Sequence, residues 1–326
     1  MLAKYYLPVL LLVLSTLQPN EASAEVQSQF ADWFAPKVLQ ISSPILSSDP
    51  IQKWCTDLRL AIKKLKWSIE PCSGIPWQQG GTSVLGRPIV FAEFGTAGEA
   101  NTTLVLAMVH GDEITPLYLA IELANLLKSN PDEFRGKRVV IAPLVNPDSF
   151  YKNPRSRVNA RGVDVNRNFA TQDWQSDALK AWKKKYRSDR RRFPGSQPRS
   201  EPETLFQEEL IKKVAPQKIV SIHAPLNFLD YDGPTTVALE RFSVEYVMEC
   251  MKLRSRLRAI SSGFFPGSLG NYAGQELGIP TLTLELPSAN PAKARQYWKQ
   301  FGSGIHTMIH FAVPDYAAGK PVSPGG

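Results

Sequence analysis

The chain has 326 residues, of which 43% are hydrophobic and 21% are charged, and these proportions exclude a disordered chain. Its length is enough for one large domain or two modest ones with a sizeable core. The formal net charge of +8 suggests an anionic partner, but no nucleic-acid-binding motif is recognisable, which argues against nucleic acid.

The first 24 residues have the pattern of a secretory signal peptide. Lys4 precedes an apolar run from Leu7 to Leu17, and ASA at residues 22–24 offers small residues for cleavage before Glu25. The run is shorter than the span of about 20 apolar residues that crosses a membrane, although a retained N-terminal anchor is the alternative. No later segment is long and apolar enough to span a bilayer. We therefore expect an exported protein, periplasmic or secreted, that is not an integral membrane protein.

The cysteines are interpreted through this expected export. In an oxidising compartment Cys55 and Cys72 are a plausible disulfide pair, because they flank one predicted helix and its exit. Cys250 lies in the helix-like stretch YVMECMKL, and we expect it to be a small buried apolar side chain.

The rest of the chain predicts a layered domain. Residues 25–85 predict one helix, PIQKWCTDLRLAIKKLKW, and a loop-rich strap. In residues 86–312 the pattern predicts five strands, some of them separated by helices. The strands are PIVFAEFG, TLVLAMVH, RVVIAPLV, KIVSIHAPL and TLTLELP. The helices include PLYLAIELANLLKSN and RFSVEYVMECMKLRSRL. This pattern predicts an α/β fold with a mixed, mostly parallel central sheet and helices on both faces. A charged insertion at 171–200 interrupts the pattern, and 313–326 form a tail.

Polar residues follow two of the predicted strands, where ligands of open α/β sheets bind. His110 and Glu113 follow the second strand in LVLAMVHGDEITP, and Thr115 is placed to cap the next helix. His223 ends the strand KIVSIHAPL. Two histidines and one glutamate suit a catalytic Zn²⁺ and leave one position open. The alternative is a strand-end histidine bonded to a carbonyl, with Glu113 solvated.

The other two histidines form a competing pair. His306 and His310 are spaced i, i+4 in GIHTMIHFAV and share a helix face. Thr307 stands where the zinc-binding helix motif carries its glutamate base. We therefore expect this pair to belong to the surface or packing of a C-terminal helix.

Two segments are rich in basic residues. Residues 146–169 hold four arginines and five asparagines, and guanidinium groups bind carboxylates in a bidentate manner. Such a segment beside a zinc ion indicates an enzyme that cuts at a carboxyl end.

KKKYRSDRRR at 183–192 is most simply a solvated helix face. The alternative is attraction to an anionic polymer of the bacterial envelope.

An ordered set of motifs resembles the carboxypeptidase A-like family of zinc peptidases over about residues 80–311. The motifs are HGDE, NPDSF, RVNARGVDVNRNF, SEPET, SIHAP and TLELP. The resemblance implies a zinc carboxypeptidase-like fold and one Zn²⁺ per chain. The residues that it implies are the zinc ligands His110, Glu113 and His223, the general base Glu285, the oxyanion-stabilising Arg157, and the pair Asn166 and Arg167 that holds the substrate's terminal carboxylate. The family's mobile tyrosine has no counterpart, because the matching position falls near SSGFF at 261–265 and Tyr272 does not align.

A narrower resemblance concerns the bacterial murein peptide amidases, which cut between γ-D-glutamate and meso-diaminopimelate. It rests on PGSQPRSEPET, SIHAPL and PGSLGNYAGQELGIPTLTLELP. It implies a zinc-dependent carboxypeptidase or amidase whose partner is a peptidoglycan-derived peptide. The alternatives are a carboxypeptidase of ordinary protein C-termini and an N-acyl amino acid deacylase. A non-catalytic wall-binding protein is disfavoured, because Glu285, Arg157 and all three ligands are present.

Overall fold

The computed structural model describes residues 49–233, 244–259 and 265–313. The signal peptide predicted at 1–24 and the tail after residue 313 lie outside these residues. Within the described ranges, no helix combines the length and the apolar character needed to cross a bilayer.

An eight-stranded mixed sheet forms the centre of the described fold. The strands are β1 (Trp77–Thr82), β2 (Pro88–Phe94), β3 (Asn101–Ala107), β4 (Lys137–Ala142), β5 (Lys218–His223), β6 (Phe228–Asp232), β7 (Arg258–Ala259) and β8 (Thr281–Glu285). They lie in the order β1-β2-β4-β3-β5-β8-β6-β7. The central strands β4, β3, β5 and β8 are parallel. β1 and β2 pair antiparallel with their neighbours, and β6 runs antiparallel to β8 and parallel to β7. The predicted mixed sheet is confirmed, but the patterns did not predict β1, β6 or β7.

Helices cover both faces of this sheet, as predicted. They are α1 (Pro50–Lys64), α2 (Thr115–Ser129), α3 (Pro147–Tyr151), α4 (Leu179–Lys184), α5 (Pro202–Val214), α6 (Val244–Arg254) and α7 (Ala294–His310). One apolar cluster joins α1, α2, α6 and α7 to the sheet. A second cluster on the other face includes α5 and the segment 269–273.

The cysteines behave as the sequence predicts. Cys55 and Cys72 form a disulfide that closes a loop of sequence separation 17 and joins α1 to the strap. A loop of this size stabilises a fold by about 3 kcal/mol through the entropy of the unfolded chain. Cys250 is buried in α6.

The parallel strands place their carboxyl ends at one edge of the sheet. Ala107 of β3 lies opposite Ile222 of β5, and His223 of β5 lies opposite Glu285 of β8. Side chains at these ends, and in the turn that follows β3, are therefore close in space although they are far apart in sequence.

Candidate metal centre and active site

His110, Glu113 and His223 meet at the carboxyl edge of the sheet and are almost fully buried. His110 Nδ1 lies 2.7 Å from one carboxylate oxygen of Glu113, and His223 Nδ1 lies 2.9 Å from the other. One donor atom from each residue can be chosen so that all three lie within 4.8 Å of one another. The structure thus brings together the three residues expected to ligate a metal.

The outer nitrogen of each ring has its own partner. His110 Nε2 lies 3.0 Å from Asp164 Oδ1, and His223 Nε2 lies 2.9 Å from Ser221 Oγ. When a metal binds at Nδ1, the ring hydrogen of both residues must lie on Nε2, where Asp164 and Ser221 each offer an oxygen that accepts it. Both Nδ1 lone pairs and the Glu113 carboxylate would then be free to hold the cation. The three side chains therefore fit a zinc ion.

The turn between β3 and α2 depends on a glycine. A side chain at Gly111 would begin 2.4 Å from the backbone nitrogen of Phe150, because α3 packs directly against this turn. The expected cap at Thr115 is wrong: Thr115 is the first helical residue, and its hydroxyl donates to the carbonyl of Ser288 over 2.8 Å. The helix start is thus held by the segment that follows β8.

Electrostatics keep Glu113 and Asp164 ionised. Burial alone would raise the pKa of Glu113, but the two imidazoles outweigh burial and lower it. Burial alone would also raise the pKa of Asp164, but Arg157 and His110 hold that pKa well below its usual range. An ionised Glu113 is the form that binds a metal.

Arg157 lies beside the three ligands. Its Nε donates to Asp164 Oδ2 over 2.9 Å, and its Nη1 lies 3.3 Å from Glu113 Oε1. Asp164 therefore orients both His110 and Arg157. The sequence motifs assigned Asp164 no role. Asp112, the other acid of HGDE, accepts from Arg191 over 2.8 Å and makes no hydrogen bond with His110.

Glu285 ends β8 directly opposite His223. Its Oε2 accepts from the backbone N–H of Leu226 over 3.4 Å. Burial, followed by the charge of Glu113, raises the pKa of Glu285. The structure thus places the expected base on the strand beside His223, where a carboxylate of raised basicity suits proton transfer.

Asn166 and Arg167 are adjacent in sequence but have different hydrogen-bond partners. Asn166 Oδ1 accepts from the backbone N–H of Leu269 over 2.8 Å. Arg167 is 8% exposed, and its Nη1 donates to the carbonyl of Asn166 over 2.5 Å. Its Nε is buried and has no partner within the described part of the chain. A buried guanidinium with an unused donor suits an anionic ligand.

The basic insertion forms one wall of this region. The backbone N–H of Asp164 donates to the carbonyl of Phe193 over 2.8 Å, which fixes the end of the insertion beside the site. Burial is the main cause that lowers the pKa of Arg167, and the nearby charges of Arg157 and Arg192 add to it. The ammonium of Lys185 lies 4.6 Å above the ring of Phe265. The run 183–192 is therefore not only a solvated helix face, because part of it lies beside Arg167 and Phe265.

Tyr272 does not replace the family's mobile tyrosine. Its ring stacks on Phe169 with centroids 5.3 Å apart, on the second apolar cluster. Residues 261–264 of SSGFF lie outside the described residues, and Phe265 lies under the guanidinium of Arg167 at 4.5 Å.

Comparisons with known proteins agree with this geometry. A family model described as zinc carboxypeptidase matches residues 75–241. Murein peptide amidase A of Escherichia coli strain K12 is 29% identical over 219 residues, which cover 66% of this chain and 83% of the relative. Its namesake in Vibrio campbellii is 30% identical over 213 residues, covering 64% and 77%. The crystal structure of the murein-tripeptide amidase of Escherichia coli O157 superposes with a TM-score of 0.52 at 25% identity, covering 73% of this chain and 93% of that one.

Proposed function

Because the chain belongs to the zinc carboxypeptidase family, and is therefore a hydrolytic metallopeptidase, we propose that it is exported and hydrolyses peptidoglycan stem peptides. The bond that we propose is the one between γ-D-glutamate and meso-diaminopimelate. Two of the relatives above are named murein peptide amidase, and the structural relative is a murein-tripeptide amidase.

One observation carries the catalytic part of this proposal. A buried set of two histidines and a glutamate lies beside a carboxylate of raised pKa, Glu285, and beside the guanidinium of Arg157. Metal ligands, a base and a cation thus converge on one edge of the sheet. These are the components that hydrolysis of an amide requires.

Each residue has a task that its position allows. His110, Glu113 and His223 would hold the zinc ion, which supplies water of lowered pKa and polarises the substrate carbonyl. Glu285 takes a proton from the attacking water and passes it to the leaving amine. Arg157 directs positive charge at the oxygen on which negative charge develops, and Asp164 holds the guanidinium in that orientation.

The cationic wall supports a substrate with several carboxylates. Arg167 and Asn166 would bind the free carboxylate of the diaminopimelate centre whose nitrogen is in the scissile bond. Arg192 and Lys185 add positive charge beside Arg167 and Phe265. A stem peptide carries further carboxylates on D-glutamate and at the far end of diaminopimelate, so this charge favours its approach.

Purified stem peptide tests the proposed bond. The zinc-loaded protein is incubated with L-Ala-γ-D-Glu-meso-diaminopimelate, and the products are measured by mass. We expect free meso-diaminopimelate and L-Ala-D-Glu. The controls are N-acyl L-dipeptides and N-acyl amino acids. Hydrolysis of L-dipeptides alone would indicate a carboxypeptidase of protein C-termini, and hydrolysis of acyl amino acids alone would indicate a deacylase; either result would overturn the proposed substrate.

Export has its own test. We expect the protein recovered from the envelope or medium of its bacterial host to begin at Glu25. A chain recovered only from the cytoplasm with its first 24 residues intact would contradict export without affecting the proposed chemistry.

A further inference from the structure

The basic run at residues 183–192 carries more positive charge than its surroundings neutralise. It holds seven lysines and arginines and one acid. Arg191 pairs with Asp112 over 2.8 Å, and Arg192 lies 3.9 Å from Asp189. The other five cations are exposed and have no carboxylate partner among the residues that the structure describes; they are Lys183, Lys184, Lys185, Arg187 and Arg190. Crowded cations repel one another, so an anionic ligand would stabilise this surface.

Hydrogen bonds hold the basic run in one backbone conformation. The N–H of Ser188 donates to the carbonyl of Trp182 over 3.0 Å, and the N–H of Asp189 donates to that of Tyr186 over 2.9 Å. The indole of Trp182 donates to the carbonyl of Asp189 over 2.7 Å. Arg187 and Ser188 have φ values of 51° and 57°, which L residues rarely adopt unless the surrounding structure fixes them. The cations thus lie on an ordered turn, and binding a ligand need not order the backbone.

The basic run is joined to the turn that carries two of the expected zinc ligands. Arg191 donates to Asp112, which stands between His110 and Glu113 in sequence. Directly after the run, the carbonyl of Phe193 accepts from the backbone N–H of the residue that orients His110 and the catalytic arginine. A polymer held by the exposed cations would therefore lie beside the active site.

Charge and position together favour one kind of partner. Peptidoglycan is a polymer in which stem peptides with free carboxylates repeat along each glycan strand. Several weak contacts with these carboxylates reinforce one another, because every contact after the first is made within an existing complex. A phosphate polymer without stem peptides could be held at the same place, but it would bring no amide bond to the active site.

We propose that the basic run is a docking surface for the carboxylates of polymeric peptidoglycan, so that the enzyme acts on stem peptides still attached to the glycan strands. This inference rests on the proposed function and deepens it, because it names the polymer as the preferred form of the substrate. Docking raises the concentration of stem peptides at the active site and leaves the contacts at the scissile bond unchanged.

Sedimentation with insoluble peptidoglycan measures docking. The zinc-loaded Glu285→Gln protein is mixed with diaminopimelate-type peptidoglycan from which attached phosphate polymers have been removed, and the bound fraction is measured after centrifugation. The test variant of this protein removes four exposed cations of the run: Lys183→Gln, Lys184→Gln, Arg187→Gln and Arg190→Gln. We expect its affinity to be lower by at least about tenfold, since charge concentrated on one surface raises the local concentration of its counter-ion by about 10–10³-fold. Raising the ionic strength from about 0.01 to about 0.15 M should also weaken binding, because the screening length falls from about 30 to about 8 Å.

A matched variant controls for net charge. It removes two lysines and two arginines that are exposed on α1, α6 and α7: Lys63→Gln, Lys64→Gln, Arg254→Gln and Arg295→Gln. This control should bind the polymer as the wild type does, and both variants should keep the circular dichroism of the wild type. An equal loss of binding in the two variants would overturn the inference.

Chemical masking tests whether the carboxylates are recognised. Peptidoglycan whose carboxylates have been converted to amides should bind the unaltered run as weakly as untreated peptidoglycan binds the test variant. Equal binding to masked and untreated polymer would overturn the inference. Binding to inorganic polyphosphate that depends on the run, without binding to peptidoglycan, would assign the run to phosphate polymers and would also overturn it.

Turnover separates this inference from the proposed function. With wild-type Glu285, the four substitutions in the run should slow release of diaminopimelate from the polymer and leave turnover of free L-Ala-γ-D-Glu-meso-diaminopimelate unchanged. If neither substrate is cut at this bond but binding still depends on the run, the proposed bond is wrong and the docking surface stands. If the free peptide is cut but binding does not depend on the run, the docking surface is wrong and the proposed bond stands.

Discussion

Each end of the central sheet carries two histidines and a glutamate, and the two groups differ in almost everything else. At the carboxyl end, His110 and His223 are 113 positions apart in sequence, are buried, and have ring centroids 5.1 Å apart around Glu113. At the amino end, His306 and His310 lie one turn apart on α7, with ring centroids 4.4 Å apart. His306 Nε2 lies 2.6 Å from Glu133, which is 44% exposed.

Donor distance alone does not separate the two groups, because both bring their ligand atoms within 4.8 Å of one another. Their surroundings do. Burial lowers the pKa of His310, and the nearby cations Lys137 and Lys218 add to that effect. Those cations also oppose a bound dication. The carboxyl-end group also has a cation nearby, Arg157, but Asp164 is paired with that guanidinium, and Glu285 adds a further carboxylate that favours a dication. A catalytic metal centre is thus recognised by burial and by the groups that surround it, more than by ligand spacing.

The largest expected effect removes the base from the carboxyl end. Glu285→Gln should lower turnover of the stem peptide by about 10²–10⁴-fold, because no group then accepts the water proton. Zinc content should not change, since Glu285 is not in the ligand set. Glu133→Gln is the matched change at the amino end and should leave turnover unaltered. Comparable losses in the two variants would remove the distinction between the ends.

Arg157 tests whether the cation at the carboxyl end acts in catalysis. Arg157→Gln should lower kcat by about 10²–10³-fold, since one donor to the developing oxyanion is lost. Arg161→Gln is the control, because the Arg161 side chain is 55% exposed and, among the described residues, forms polar contacts only with the carbonyl of Ser200, at 3.2 Å, and with Glu201, at 3.6 Å. A rise in KM with unchanged kcat for Arg157→Gln would instead give this arginine a role in substrate binding alone.

Asp164 sharpens the comparison, because the amino end has no equivalent buried orienting group among the residues that the structure describes. Asp164→Asn keeps the size of the side chain but removes the charge that holds His110 Nε2 and Arg157 Nε. Zinc affinity should fall by about 10–100-fold. Competition with a chromogenic chelator measures this change. An unaltered zinc affinity would show that Asp164 does not support the ligand group.

Lys218 provides a stability test at the amino end. Its ammonium donates to Asn101 over 2.6 Å and to the carbonyl of Phe311 over 2.5 Å, yet burial lowers its pKa to about 7 from 10.5. Between these pH values the unfolded chain binds a proton that the folded chain has released. Stability should therefore rise with pH in this window, by at most about 1.4 kcal/mol per pH unit.

Denaturant unfolding at pH 7, 8 and 9 measures this slope. Lys218→Met should flatten it relative to the wild type, while turnover of the stem peptide at each pH stays unchanged. An equal slope in both proteins would mean that Lys218 keeps its ordinary pKa in the fold.

The sequence predicted the parts of the fold that have strong local patterns. The five apolar strands and α2 were predicted because each is a continuous apolar or amphipathic run. β1 (Trp77–Thr82) was missed because its WQQGGT sequence has little apolar character and is mostly exposed. β6 was missed because its short FLDYD sequence carries two acids and no continuous apolar run. Its place in the sheet depends on its pairing with β8, which no local pattern reveals.

The candidate site was predicted residue by residue only where a motif carried it. The resemblance assigned the ligands, Glu285 and Arg157, and the structure places these residues together at one edge. Asp164 was overlooked, because its two contacts involve residues 54 and 7 positions away and no spacing rule connects them.

Metal content of paired histidine variants tests the central distinction most directly. Wild-type protein, His110→Asn/His223→Asn and His306→Asn/His310→Asn are loaded with zinc, dialysed, and measured by elemental mass spectrometry. We predict one tightly held zinc per chain in the wild type and in the His306/His310 variant, and none in the folded His110/His223 variant. Zinc that is retained by the His110/His223 variant and lost from the His306/His310 variant would place the metal at the amino end of the sheet and contradict the account.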